Sequence, residues 1–207
     1  MADELSPNNV NMIDEELELD PRPSRRRQII VALVCVLIVV LLAVTLALII
    51  KTYVITTFTV DGISMYPTLD GGGGASLDSD SQNGETLYLN RVAKIKRGNI
   101  VVFKPDWVAM NGKALVKRVI AVAGDHLQII DGKVILNGQP LDEPYINEAM
   151  SHDYDGLDVV IAEGNIFCMG DNRNHSSDCR AYGQVPLDTV IGRCFLVKGL
   201  DGKLRKP

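Results

Sequence analysis

Two residues in this chain have side chains suited to acyl transfer and stand in contexts that favour it. Ser64 falls in Gly62-Ile63-Ser64-Met65-Tyr66-Pro67-Thr68-Leu69, where Gly62 and Pro67 help fix a turn at the end of an extended run. Such a turn exposes a hydroxyl, but a serine there ordinarily does no more than hydrogen-bond its surroundings. It attacks a carbonyl only when a base removes its proton. His126, His152 and His175 stand in no context that suggests that base. Lys117 does, within Leu115-Val116-Lys117-Arg118-Val119-Ile120-Ala121-Val122. Strand alternation places it on one face with Leu115, Val119 and Ala121, and turns Arg118 to the other. An apolar face penalises the ammonium form, and a fall of about 3 pKa units, roughly 4 kcal/mol, makes a lysine substantially neutral near pH 7. A lone strand lysine that escapes burial simply extends its amine to water.

The elements that must hold these two residues read as strands. Tyr53 to Val60, rich in β-branched and aromatic residues, delivers the chain to the Ser64 turn. Further runs of strand character cover Thr86 to Val92, Asn99 to Phe103, Leu115 to Ala123, Leu127 to Ile130, Val134 to Leu136, Val159 to Ile161, Ile166 to Met169 and Val190 to Val197, with no long amphipathic helix between them. Asp131-Gly132 joins LQII to KVIL and predicts a hairpin with a type I′ turn. The pattern is that of a mainly β domain with coiled or barrel-like antiparallel sheets. Gly71 to Asn83 (GGGGASLDSDSQN) interrupts it as a low-complexity, flexible insert.

Ahead of the strands, Gln28 to Ile50 is almost continuously apolar. At 1.5 Å per helical residue it matches a hydrocarbon core of about 30 Å, so residues 25–51 are expected to form a retained transmembrane anchor. Arg25-Arg26-Arg27 flank its N-terminal side against Lys51 on the other, which predicts a cytoplasmic N-terminus and an outward-facing domain over residues 52–207. Residues 1–24 are acidic and carry Pro7, Pro21 and Pro23, as expected of a disordered tail. Of the net charge of −5, the segment through Arg27 holds seven acidic and four basic residues, leaving 19 and 17 beyond it. That near balance, without a basic stripe, argues against a nucleic-acid partner. The outer domain has three cysteines, Cys168, Cys179 and Cys194, enough for at most one internal bridge, with Cys168–Cys179 and Cys168–Cys194 both open pairings. Their spacing and the scattered histidines lack a zinc pattern, so no metal or other cofactor is expected.

Four segments, GISMYPTL, RGNIVVFK, LVKRVIAVAGD and MGDNRNHSSDCRAYGQVP, resemble in order and content the conserved boxes of type I signal peptidases, the Ser/Lys-dyad peptidases of the S26 family. The resemblance extends over nearly all of residues 25 to 198, including the single anchor and the stretch DGKVILNGQPLDEPYI. It implies a signal-peptidase-like catalytic domain, a membrane-bound serine endopeptidase, signal peptides of secreted preproteins as substrates, and the lipid bilayer and export machinery as partners. Residue by residue, it implies Ser64 as nucleophile and Lys117 as general base. Ser176 becomes the hydroxyl that orients the lysine amine, Asp178 and Arg180 a supporting ion pair, and Gly170, Asp171, Asn172 and Arg173 the turn that holds this last box beside the dyad. Three departures stand out. Gly62 occupies the position where many members carry an oxyanion-binding serine, which leaves the Ser64 amide as the chief expected donor; Asn174-His175 replaces Asp-Asn; and Cys179 replaces a serine.

Overall fold

The computed structural model describes residues 24–72 and 84–207. The acidic tail and most of the glycine-rich insert lie outside the described residues. The chain divides into two units, the first ending at Leu46 and the second beginning at Ala47. Helix α1 (Arg25–Ile49) is the body of the first and is exposed throughout. Its one hydroxyl in mid-run is satisfied within the helix, Thr45 Oγ donating to Leu41 O at 2.8 Å. Including a wider π-type turn over Ile50–Val54, it is long and apolar enough to cross a membrane.

The second unit is mainly β. Strands β1 (Ile55–Thr59), β2 (Thr86–Asn90), β3 (Ile100–Phe103), β4 (Leu115–Val122), β5 (His126–Ile130), β6 (Lys133–Leu136), β7 (Gln139–Pro140), β8 (Asp158–Val160), β9 (Asn165–Met169), β10 (Val185–Pro186), β11 (Val190–Lys198) and β12 (Leu204–Arg205) form two sheets. The larger runs β1-β2-β11-β3-β4-β9-β10, with β12 added to β11, and the smaller runs β7-β6-β5-β8. Every pairing is antiparallel. Register shifts on β11 between Val190 and Gly192 and between Cys194 and Leu196, and on β4 between Val119 and Ala121, curl the large sheet, since each extra residue bends and twists its strand. Beyond the strands, α2 (Cys179–Tyr182) is a single turn of helix.

The predicted hairpin is present: Ile130 pairs with Lys133, and Asp131 and Gly132 take φ of 50° and 67°, both positive as a type I′ turn requires. Strand β1 starts two residues later than the sequence predicts, because the helical path continues through Tyr53 and Val54 before the backbone extends. Strands β7, β10 and β12, each two residues long, have no counterpart in the predicted set.

Two apolar clusters fill the domain. One joins both sheets through residues such as Val101, Phe103, Val119, Phe167, Leu127 and Val134. The other lies on the opposite face of the large sheet and contains Val60, Leu87, Leu89, Ile100, Val102 and Val116, together with Met65 and Leu69 from the turn after β1. Those last two residues, both at 0% exposure, seat the Ser64 turn. Leu69 N donates to Met65 O at 2.9 Å and Tyr66 N to Ile63 O at 3.0 Å, so the turn is internally bonded as well as anchored.

Candidate active site

Lys117 lies opposite Val101 in the β3–β4 ladder, so its side chain shares the face that builds the sheet-bridging cluster. It is 2% exposed. Its Nζ stands 2.6 Å from Ser64 Oγ, bringing together two residues 53 positions apart. Burial lowers the amine pKa from 10.5 to about 8; the negative charge of Asp178 opposes that shift and Arg180 reinforces it. A lysine held at that value is deprotonated in about one molecule in ten at pH 7, enough to accept a proton from a hydroxyl already in contact.

The turn between β9 and α2 closes over the pair. Asn172 holds the Ser64 peptide from two sides: its backbone N donates to Ser64 O at 3.1 Å and its Nδ2 to Ile63 O at 3.1 Å. Gly170 is pressed between Ser176 and the Ser64 peptide, where a Cβ would stand 2.3 Å from Ser176 Oγ and 2.4 Å from Ser64 O. The Ser176 hydroxyl donates to Asp178 Oδ2 at 2.7 Å, and this bond, rather than one to the lysine amine, is what the structure gives it. Ser176 is thereby bonded to the carboxylate whose charge raises the Lys117 pKa. Gly62, at φ 78° with open space around its α-carbon, brings no side chain to Ser64. Among the described residues the Ser64 amide donates to no acceptor.

The expected Asp178–Arg180 pair is bidentate. Arg180 Nε donates to Asp178 Oδ1 at 2.9 Å and Nη2 to Oδ2 at 2.8 Å, with both side chains 1% exposed. Asp178 also accepts from Gly170 N at 2.9 Å and caps α2 by accepting from Arg180 N. Burial alone would raise the carboxyl pKa, but the bonds and charge of Arg180 outweigh it and the net shift is downward. Asp178→Asn leaves the Arg180 charge buried without its counter-ion, and a chemical-denaturation midpoint should report a loss of about 3–5 kcal/mol. The same change removes the negative charge that raises the Lys117 pKa, so the acidic limb of the pH profile should move below about 8.

The family model for signal peptidase, peptidase S26, matches residues 31–198. The chain belongs to the signal peptidase family. Signal peptidase I of Leptolyngbya laminosa is 34% identical over 155 residues, covering 72% of this chain and 71% of that protein. Thylakoidal processing peptidase 1 of the Arabidopsis thaliana chloroplast is 28% identical over 135 residues, 65% of this chain, and the match spans 39% of that longer protein. Among solved structures, a signal peptidase I from Enterococcus faecalis is 27% identical, covering 49% of this chain and 97% of that chain with a TM-score of 0.41.

Several contacts that brace this signal peptidase site have no signature in the sequence. Arg118, on the face of β4 opposite Lys117, donates to both carboxylate oxygens of Asp171 at 2.8 and 2.6 Å and lies 4.0 Å over the Tyr145 ring. Asp171 in turn accepts from Thr68 Oγ1 at 2.5 Å, tying the last box to the Ser64 turn. Arg173, itself 2% exposed, is held by Glu143 at 2.8 Å and by Gly170 O at 3.1 Å. An LVKR dipeptide step does announce that one of two adjacent cations faces each side of a strand, but not which acid meets the second.

The cysteines are free. Cys168 and Cys179 are neighbours, Cys168 N lying 3.1 Å from Cys179 Sγ. Cys194 on β11 is three strand positions from Cys168 on β9, about 14 Å, twice the reach of a disulfide. His175 is exposed on the turn. Asp131, His152 and Asp155 gather on the surface around the hairpin, where Asp155 already accepts from Gly132 N at 2.8 Å and from His152 at 2.7 Å.

Proposed function

We propose that Ser64 is the nucleophile and Lys117 the general base through which this chain does the work of its family. As a signal peptidase it is a serine endopeptidase that removes signal peptides. The observation that carries the assignment is the buried, pKa-lowered amine in hydrogen-bond contact with a hydroxyl on a braced turn. In the first half-reaction Ser64 Oγ attacks the scissile carbonyl while Lys117 Nζ takes its proton, and the tetrahedral oxyanion forms against the Ser64 amide, which has no acceptor of its own among the described residues. Lys117 then protonates the leaving amine. A water that loses its proton to the same lysine attacks the acyl-serine and releases the signal peptide's new carboxyl end.

Among the described residues strand β1 ends the large sheet, pairs only with β2, and runs into the Ser64 turn. Its free edge supports a substrate bound as an added strand, with the scissile bond brought alongside the serine. The apolar helix supports residues 25–51 as a single bilayer anchor, and Arg25 to Arg27 support a cytoplasmic N-terminus, which puts residues 52–207 outside the cytoplasm as the catalytic domain. Preproteins in transit reach that side through the export machinery, which makes it a functional neighbour.

The test mixes detergent-solubilised protein with a preprotein carrying Ala-X-Ala before its cleavage site. Wild type should cleave it, and Ser64→Ala should bind it with unchanged affinity and lose cleavage to background. A Ser64→Ala protein that cleaves at more than about one-hundredth of the wild-type rate would eliminate Ser64 as nucleophile.

A further inference from the structure

We infer that Arg205, on the last strand of the chain, is a positioning residue for the nucleophile turn. It lies beyond residue 198, where the match to the family model ends, and 137 residues from the backbone it holds. Its Nη2 donates to Thr68 O at 2.8 Å and to Glu85 Oε2 at 2.6 Å. Glu85 Oε2 also accepts from Asp70 N at 3.1 Å, and the Glu85 backbone closes on the same segment, its N donating to Asp70 O and its O accepting from Val60 N, each at 2.9 Å. The guanidinium thus clamps both ends of the Thr68–Asp70 stretch, directly and through a carboxylate that is 8% exposed.

Arg205, whose side chain is 42% exposed, is placed by its strand. It pairs with Val197, a fully buried residue of the cluster that contains Met65 and Leu69, and the hairpin joining β11 to β12 is closed by Gly199 N donating to Lys203 O at 2.9 Å. Thr68 is then fixed from two directions: Asp171 holds its hydroxyl from the last box, and Arg205 holds its carbonyl from β12. Only the Asp171 side belongs to the family's matched boxes. Loss of the Arg205 side frees one flank of the turn, and a displacement of a fraction of an ångström at Ser64 Oγ falls on the reacting geometry rather than on the binding edge.

The inference rests on Ser64 being the nucleophile, so the experiment carries both tests. In the full-length, detergent-solubilised protein, kcat per titrated active site, KM and the melting temperature are measured for wild type, Ser64→Ala, Arg205→Met, Arg205→Lys and Leu204→Ala. Arg205→Met should lose about tenfold in kcat with KM within twofold of wild type. Arg205→Lys should recover to within about threefold, because both bonds come from a single nitrogen that an ammonium one bond shorter can partly replace. Leu204→Ala, which trims the same short strand without touching the clamp, should keep wild-type kcat. A Ser64→Ala protein that cleaves overturns the dyad reading. An inactive Ser64→Ala beside an Arg205→Met protein of wild-type kcat, or a kcat loss shared by Leu204→Ala and matched by a fall in melting temperature, overturns the clamp alone.

Discussion

Lys117→Met is expected to cut preprotein about 10⁴-fold more slowly than wild type while remaining folded and, at pH 7, becoming more stable. Both effects follow from one desolvated amine. The folded chain holds Lys117 at a pKa of about 8 against 10.5 for the free side chain, so the unfolded chain binds the proton more tightly and folding at neutral pH works against roughly 3 kcal/mol. Wild-type stability therefore rises with pH between about 8 and 10.5 and the penalty is absent above that window; methionine removes it at all pH values. Activity runs with the neutral form: kcat/KM of wild type should climb as pH increases and reach half its plateau near pH 8. Denaturant titrations and initial rates between pH 6 and 10 check the two halves separately. A kcat/KM profile flat across pH 7 to 9, or a Lys117→Met variant that retains a tenth of wild-type rate, would show that another group takes the serine proton.

The second large effect belongs to a residue with no side chain. Gly170 has ordinary backbone angles, so its need for glycine is purely one of space: an added methyl would stand 2.3 Å from Ser176 Oγ, 2.6 Å from Ser176 Cβ and 2.4 Å from Ser64 O. None of these neighbours is a flexible chain end. The Ser64 carbonyl is part of the peptide that Asn172 holds, and Ser176 is bonded to the buried Asp178. Gly170→Ala must therefore push the last box off the nucleophile turn by close to an ångström, and a misplacement of that size costs about 10²-fold in rate. The circular dichroism spectrum should be retained, with kcat falling at least about 100-fold; an alanine variant within threefold of wild type would mean that the two segments separate freely and that their contact is not what sets the dyad distance.

The sequence was most legible where chemistry is local. The Asp131-Gly132 hairpin, the apolar helix and most strands follow from turn residues, β-branched runs and length, each decided within about ten residues. Strands β7, β10 and β12 escaped because two residues, one a proline in the first two cases, carry no periodicity, and only a neighbouring strand makes them extended. The meeting of Ser64 and Lys117 could not be derived from either residue's surroundings; it came from resemblance, since pairings across 53 positions are set by sheet order. Resemblance also had limits. It implied that Ser176 orients the lysine but not that its hydroxyl donates to Asp178, and it was silent on Thr68, Glu85 and Arg205, which in a sequence look like ordinary polar surface.

The proposed nucleophile and base are rooted in different interiors. Met65 and Leu69 root the serine in one apolar cluster, while Lys117, opposite Val101, projects into the other, and β3 and β4 form the wall between them. Neither interior alone yields a protease. Because β3 and β4 give alternate residues to both interiors, a single strand register sets both anchorages at once, and a slip of one residue on β4 would exchange the faces of Lys117 and Arg118.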